Sequence, residues 1–198
     1  MNKLLNIDLL LHAYSTGFFP MAESREGDIY WHSPDMRAII PFERIKEPRS
    51  CKQTIKKQGF TFTLDKAFQD VITTCSQIIR DYESGTWISK TIIDTYIKMH
   101  KLKYAHSVET WQDGQLVGGL YGVTIGGAFF GESMFSKISG ASKAAFYRLV
   151  EHLKSKGYVL IDSQYLNHHT ELLGAIEVPK NTYLDLLQIA ILHSCSFD

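Results

Sequence analysis

The sequence predicts an α+β domain, built on a central mixed, mostly antiparallel sheet flanked by helices, with a small lobe in front of it. Three observations carry this. Two turn signals, Asp113-Gly114 and Gly126-Gly127, divide His106 to Phe135 into three strand-like runs, which is a meander. A helical apolar face (Ala145, Phe146, Leu149, Val150, Leu153) then leads into a buried strand, Tyr158 to Ser163. A helix that crosses between two strands of one sheet makes that pair parallel, so the sheet is mixed. Finally, Pro20, Pro34, Pro41 and Pro48 crowd the first quarter and argue against long regular elements there. The expected division is a lobe over residues 1–38 and a larger domain over 39–198.

In chain order, Asn6 caps a short helix along Ile7, Leu10, Leu11 and Tyr14, and Gly17 ends it. Phe60 to Leu64 alternates like a half-buried strand. Phe68, Val71, Ile72, Cys75, Ile78 and Ile79 follow at helical spacing. Another helix starts near Ser89, with Ile92, Ile93, Tyr96, Ile97 and His100 along one side. The meander strands are His106 to Trp111, Gln115 to Val123 and Ala128 to Phe135. Ser139 to Ser142 opens the crossing helix, Gly157 stops it, and His152 on it is expected to face solvent. A last helix runs from about Thr182 to about His193.

At 198 residues the chain can bury a real core without disulfide staples. Its formal net charge is zero, so any pull toward nucleic acid must be local. Cys51, Cys75 and Cys195 are odd in number and form no CxxC, which fits free thiols in a reducing cytoplasm. Leu9-Leu10-Leu11 is too short for a signal peptide, and no run reaches a membrane span, so a cytoplasmic protein is expected.

Glu132, Asp162 and Gln164 stand inside apolar strand-like runs. A buried carboxylate costs free energy unless it is paired or hydrogen-bonded, so catalysis or ligand binding is one reason for such acids. Asp162 and Gln164 share a strand face, as do Glu132 and Met134 by the same alternation, and neighbouring strands would let the three polar groups converge. The bland alternative is that Asp162 and Gln164 only bond loop backbone at the strand end. His168-His169 completes no metal site, because adjacent histidines rarely reach one ion, and no metal is expected. Arg44, Lys46, Arg49, Lys52, Lys56 and Lys57 form a basic strip, which is either a solvated face or a phosphate contact. Trp31, Trp87 and Tyr96 are candidate stacking faces or core residues. Lys137 to Ser142 lies where acetyl-CoA-dependent N-acetyltransferases of the GNAT fold place a pyrophosphate loop, but with Lys for the usual Arg or Gln.

A run of motifs resembles the leucyl/phenylalanyl-tRNA–protein transferase family. They are Gly17-Phe18-Phe19-Pro20, Trp31 to Arg37, Gly85-Thr86-Trp87-Ile88, His106 to Glu109, Val117 to Val123, Gly131 to Ser136, Ala141-Ser142-Lys143 and Leu160 to Gln164. The resemblance implies a GNAT-like acyltransferase domain behind the small lobe. It implies transfer of Leu or Phe, sometimes Met, from aminoacyl-tRNA (Leu-tRNA, Phe-tRNA) to the α-amino group of proteins with N-terminal Arg or Lys. That would mark them for N-end rule degradation, with no cofactor and as a monomer. It implies a catalytic set of Asp162, Gln164 and Glu132, and an aminoacyl side-chain pocket of Leu120, Phe129, Met134, Phe146, Leu149, Leu153 and Ile161. It implies that the tRNA 3′-adenosine meets Trp87, Tyr96 and Met21, where Met21 replaces a Trp of some relatives, and that Arg49, Lys52, Lys56 and Lys57 meet the tRNA backbone. A CoA-dependent acetyltransferase and a non-catalytic tRNA- or degron-binding module are the alternatives.

Overall fold

The computed structural model describes residues 5–78 and 86–198. Ile79 of the expected helix and Gly85 of the Gly-Thr-Trp-Ile motif lie outside the described residues.

Helix α1 (Ile7–Ser15) begins where the Asn6 side chain accepts from the Leu9 N–H at 3.0 Å, and Gly17 at φ 84° turns the chain out of it. Among the described residues, strands β1 (Phe19–Ala22) and β2 (Ile29–His32) pair only with each other, as a two-stranded antiparallel sheet. Strand β3 (Met36–Ile39) instead enters the main sheet, so the expected boundary at residue 38 falls inside a strand of the larger unit. Next come α2 (Arg49–Gln58), β4 (Thr61–Leu64), α3 (Phe68–Gln77) and α4 (Lys90–Lys101), the last capped by the Ser89 side chain. The proline-rich quarter therefore holds the nine-residue α1 and three four-residue strands, and the ten-residue α2 starts at its end, directly after Pro48, where no N–H is needed.

The meander is β5 (Ala105–Gln112), β6 (Gln115–Ile125) and β7 (Ala128–Ser136), with both Gly turns where the sequence places them. Helix α5 (Ala141–Ser155) crosses to β8 (Leu160–Gln164). Then α6 (His168–Leu172), β9 (Ile176–Pro179) and α7 (Lys180–Ile191) follow. Among the described residues the main sheet has seven strands in the order β4-β5-β6-β7-β8-β3-β9. Only β7 and β8 run parallel, as a crossing helix requires.

Both faces of the sheet are covered, so β6 reads as a continuous buried run rather than an alternating one. On one face, Leu10, Tyr14 and Phe19 of the lobe share a core with Val71, Ile72, Ile92, Tyr121, Phe130 and Leu187. Each such side chain contributes about 1.5–3 kcal/mol of burial, and that shared core fixes the lobe against the sheet. On the other face, α5 packs Phe146, Leu149, Val150 and Leu153 against Val108, Leu120, Phe129 and Ile161. Gly118 makes this close approach possible, since a Cβ there would lie 2.5 Å from the Ala141 Cβ at the start of α5.

Candidate active site

Strands β7 and β8 pair only over Ala128↔Leu160, Phe129↔Ile161 and Phe130↔Asp162. Beyond that they part, and a cavity of about 670 Å³ opens at the split. Leu120, Phe129, Met134, Phe146, Leu149 and Ile161, all on the α5 face of the sheet, supply its apolar wall. Glu132, Asp162 and Gln164 supply the polar end.

Two bulges aim that polar end. Tyr121 pairs with Ser133 but Gly122 pairs with Gly131, so Glu132 is an extra residue on β7. The bulge breaks the alternation expected for Glu132 and Met134. Glu132 turns to the face of Tyr14, whereas Met134 packs with the α5 cluster. On β8, Ala38 pairs with Gln164 and Ile39 with Asp162, which leaves Ser163 as the extra residue. Gln164 there takes φ 67°, a left-handed conformation that costs a non-glycine residue about 1 kcal/mol or more and persists only where its surroundings hold it.

What holds it is Asp162, which is fully buried and accepts four donors. Oδ1 takes Arg37 Nε at 2.9 Å and the Gln164 N–H at 2.8 Å. Oδ2 takes an Arg37 terminal nitrogen at 2.7 Å and Tyr183 Oη at 2.7 Å. The Arg37 guanidinium, 1% exposed, also donates to the Gly17 carbonyl and lies over the rings of Phe19 and Tyr183 at 4.4 and 4.7 Å. Burial pulls on Arg37 toward the neutral form, but the Asp162 carboxylate outweighs it and raises its pKa. Burial, with Asp162 beside it, drives the Tyr183 phenol well above its usual range.

From its strained position Gln164 donates Nε2 to Glu132 Oε1 at 3.0 Å. Tyr14 Oη donates to the same oxygen at 2.6 Å, and Tyr96 Oη bonds Tyr14 Oη behind it. Glu132 is 9% exposed, and its Oε2 has no hydrogen-bond partner among the described residues. Desolvation pushes the Glu132 carboxyl up to about 8, against the opposing bond from Tyr14. It is therefore largely protonated at neutral pH. Burial and the nearby Glu132 push the Tyr14 and Tyr96 phenols far up as well.

The remaining expected site residues separate into two groups. Met21 and Trp87 line the cavity. Arg49, Lys52, Lys56 and Lys57 are exposed on α2, and among the described residues their ion pairs amount to a 3.8 Å contact from Lys52 to Glu47. Two residues stand elsewhere than expected. Tyr96 is completely buried, its ring edge-on to Tyr121 at 6.0 Å, so it has no face to offer a base. Leu153 is fully buried behind the cavity wall instead of lining it, because it lies a turn beyond Leu149 along α5. His152 is not a solvated side chain either, since its Nε2 meets the Phe197 carbonyl at 2.6 Å. Sequence reasoning missed Arg37, Tyr14 and Tyr183. Among the described residues no cluster of three or more His, Cys, Asp and Glu could hold a metal ion.

Family comparison decides the ancestry of this site. The model of the leucyl/phenylalanyl-tRNA protein transferase family matches residues 39–188, and the model of that family's N-terminal domain matches residues 4–35. The chain belongs to this family. A leucyl/phenylalanyl-tRNA–protein transferase of Chlorobaculum tepidum is 48% identical over 98% of this chain and 100% of that one. The Gloeobacter violaceus relative of the same name is 44% identical over 98% and 97% of the two chains. The structure of L-PGS from Bacillus licheniformis superposes with a TM-score of 0.50 at 15% identity, over 93% of this chain and 70% of that one, a likeness of fold alone.

Proposed function

We propose that this chain transfers Leu or Phe, and at times Met, from aminoacyl-tRNA to the α-amino group of proteins that begin with Arg or Lys. The observation that carries this reading is the cavity at the β7–β8 split, where apolar walls meet Glu132, Asp162 and Gln164. Leu120, Phe129, Met134, Phe146, Leu149 and Ile161 receive the donor side chain. Trp87 and Met21 at the rim meet the terminal adenosine, and the exposed cations of α2 meet acceptor-stem phosphates without reading sequence. The modified protein is marked for N-end rule degradation in the cytoplasm, and the enzyme acts as a monomer.

The reaction joins the acceptor nitrogen to the donor carbonyl carbon, breaks the bond to the tRNA 3′-oxygen and leaves the amine proton on that oxygen. The ester is already activated, so positioning supplies much of the rate. Asp162 accepts four donors, and a carboxylate offers about four such sites. It is an orienting group, which fixes the Gln164 backbone, rather than the base. The Gln164 amide, tied to Glu132 through Nε2, keeps its carbonyl oxygen for the incoming amine. Glu132 Oε2 is a buried polar atom that lacks a partner, which costs about 1–3 kcal/mol until a ligand supplies one. An acceptor N-terminus supplies it.

The deciding experiment is transfer of radiolabelled Leu from Leu-tRNA to a peptide with N-terminal Arg, beside the same peptide N-acetylated. Label on the free amine alone supports the reading. Label on neither, with folded protein and intact Leu-tRNA, sinks it. The acetyl-CoA alternative is disfavoured by α5, where the Ser142 N–H is already bonded to Ser136 Oγ at 3.0 Å and the Ala141 N–H to the Ile138 carbonyl at 3.0 Å. Few donors are left there for a pyrophosphate.

A further inference from the structure

Residues beyond α7 bear on the cavity from behind. Phe197 is 4% exposed and belongs to the same apolar cluster as Phe129, Phe146, Leu149 and Ile161. Its ring stacks on His106 with centroids 4.1 Å apart and planes at 18°, and it lies 4.6 Å from the His152 ring. It also stacks near Phe129, with centroids 6.4 Å apart and planes at 26°. Phe129 lines the cavity and Phe197 does not.

The Phe197 ring is held from several directions. Its carbonyl accepts from His152 Nε2 at 2.6 Å, and the Asp198 carboxylate takes Lys103 Nζ at 3.0 Å. Lys156 Nζ donates to the Asp198 carbonyl. The His106 ring beneath it is fixed as well: Nδ1 meets Asp65 Oδ2 at 2.7 Å and Nε2 meets the Lys103 carbonyl at 3.1 Å. Phe129 has little freedom on the sheet side, for a Cβ on Gly122 would lie 2.4 Å from its Cζ. The Phe129 ring thus meets bare backbone at Gly122 and lines the cavity, and Phe197, its ring neighbour at 6.4 Å, does not line it.

We propose that Phe197 is a positioning residue that sets the depth of the donor side-chain cavity by backing Phe129, and so tunes the choice between donors of different size. This rests on the reading that the cavity receives the aminoacyl side chain. Interiors are close-packed, so a wall residue with nothing behind it relaxes into the space left. Removal of the Phe197 ring lets Phe129 retreat, and the deeper cavity favours the larger donor.

The experiment is kcat/KM for Phe-tRNA and for Leu-tRNA, on one N-terminal-Arg peptide, in the wild type, Phe197→Ala and Phe197→Leu. The Phe/Leu ratio is internal to each sample, so partial unfolding lowers both rates and leaves the ratio alone. Phe197→Ala is expected to raise the ratio about tenfold, the low end of what one methylene decides in an apolar pocket. Phe197→Leu keeps most of the bulk and so the better chance of folding, and should move the ratio the same way by about threefold. Ratios within about twofold of the wild type in every variant that folds would overturn the proposal and leave Phe197 as core packing only. A wild type that transfers neither donor would remove the aminoacyl-transfer reading itself, and this inference with it.

Discussion

Replacement of Arg37 by Met should be the most damaging single change to the polar network. The methionine keeps a similar length of apolar side chain but removes two donors to Asp162 and one to the Gly17 carbonyl. Asp162 is then a fully buried carboxylate with only Tyr183 and the Gln164 N–H left. One partner lost from a buried ion pair costs about 3–5 kcal/mol, because the surviving charge is uncompensated. For a chain of this size that corresponds to a fall in Tm of about 6–20 °C, at about 2–4 °C per kcal/mol. The assay is urea unfolding followed by tryptophan fluorescence, with the midpoint and the slope fitted together. The double variant Arg37→Met with Asp162→Asn removes both charges, so it should be more stable than the two single losses added together, by about 1–3 kcal/mol. Transfer activity should not recover in it, because Gln164 loses its anchor. A single-variant loss below about 1 kcal/mol, or strict additivity in the double variant, would refute the claim that the pair holds the site together.

Three other outcomes are expected. Glu132 holds its proton in the folded protein up to about pH 8 while an unfolded Glu releases it near its ordinary value, so unfolding releases a proton between those limits and stability falls as pH rises through them. Glu132→Gln should remove that slope, at most about 1.4 kcal/mol per pH unit, and parallel urea midpoints from pH 5 to 8 would contradict it. Lys52, Lys56 and Lys57 changed together to Ala should lessen the slope of log K against log salt for tRNA binding by about 2–3, and an unchanged slope would make α2 an ordinary solvated face. Gly118→Ala places a Cβ 2.5 Å from Ala141 Cβ and 2.8 Å from the Ala141 carbonyl carbon. It should cost about 1–3 kcal/mol of stability, and a thermal melt equal to the wild type would show that α5 moves aside freely.

The fold was legible where local chemistry determines it. Asp113-Gly114 and Gly126-Gly127 demand positive φ, and both turns stand where the sequence puts them, with φ 49° at Asp113 and 55° at Gly126. The crossing helix dictated the parallel β7–β8 pair. Less legible were strands of four residues such as β3 and β9, whose existence depends on partners more than a hundred residues away or brought in by a later turn. Strand alternation also failed at one place that matters: the extra residue in β7 separates Glu132 from Met134, and the one local signal for it is Gly131, an isolated glycine inside a strand. A glycine marks where a bulge is tolerated, but which residue becomes the extra one is set by the pairing of the two strands.

Tyr96 and Arg37 mark opposite sides of the same limit. An aromatic on an apolar helical stripe is consistent with either a stacking face or the core, and for Tyr96 the core won: its ring is fully buried and its hydroxyl ends in the hydrogen-bond chain to Glu132. Arg37 carried a readable signal that went unused. It stands before Ala38-Ile39-Ile40, a charged residue leading into an apolar run, as Asp162 stands after Leu160-Ile161. Each charge alone asks why it would be buried. Taken together they answer one another, because a buried cation and a buried anion are tolerable only as a hydrogen-bonded pair. Unmatched charges in separate strand-like runs thus constrain which strands must be neighbours, and here they place β3 against β8, a neighbour relation that neither hydrophobic period nor turn chemistry supplies.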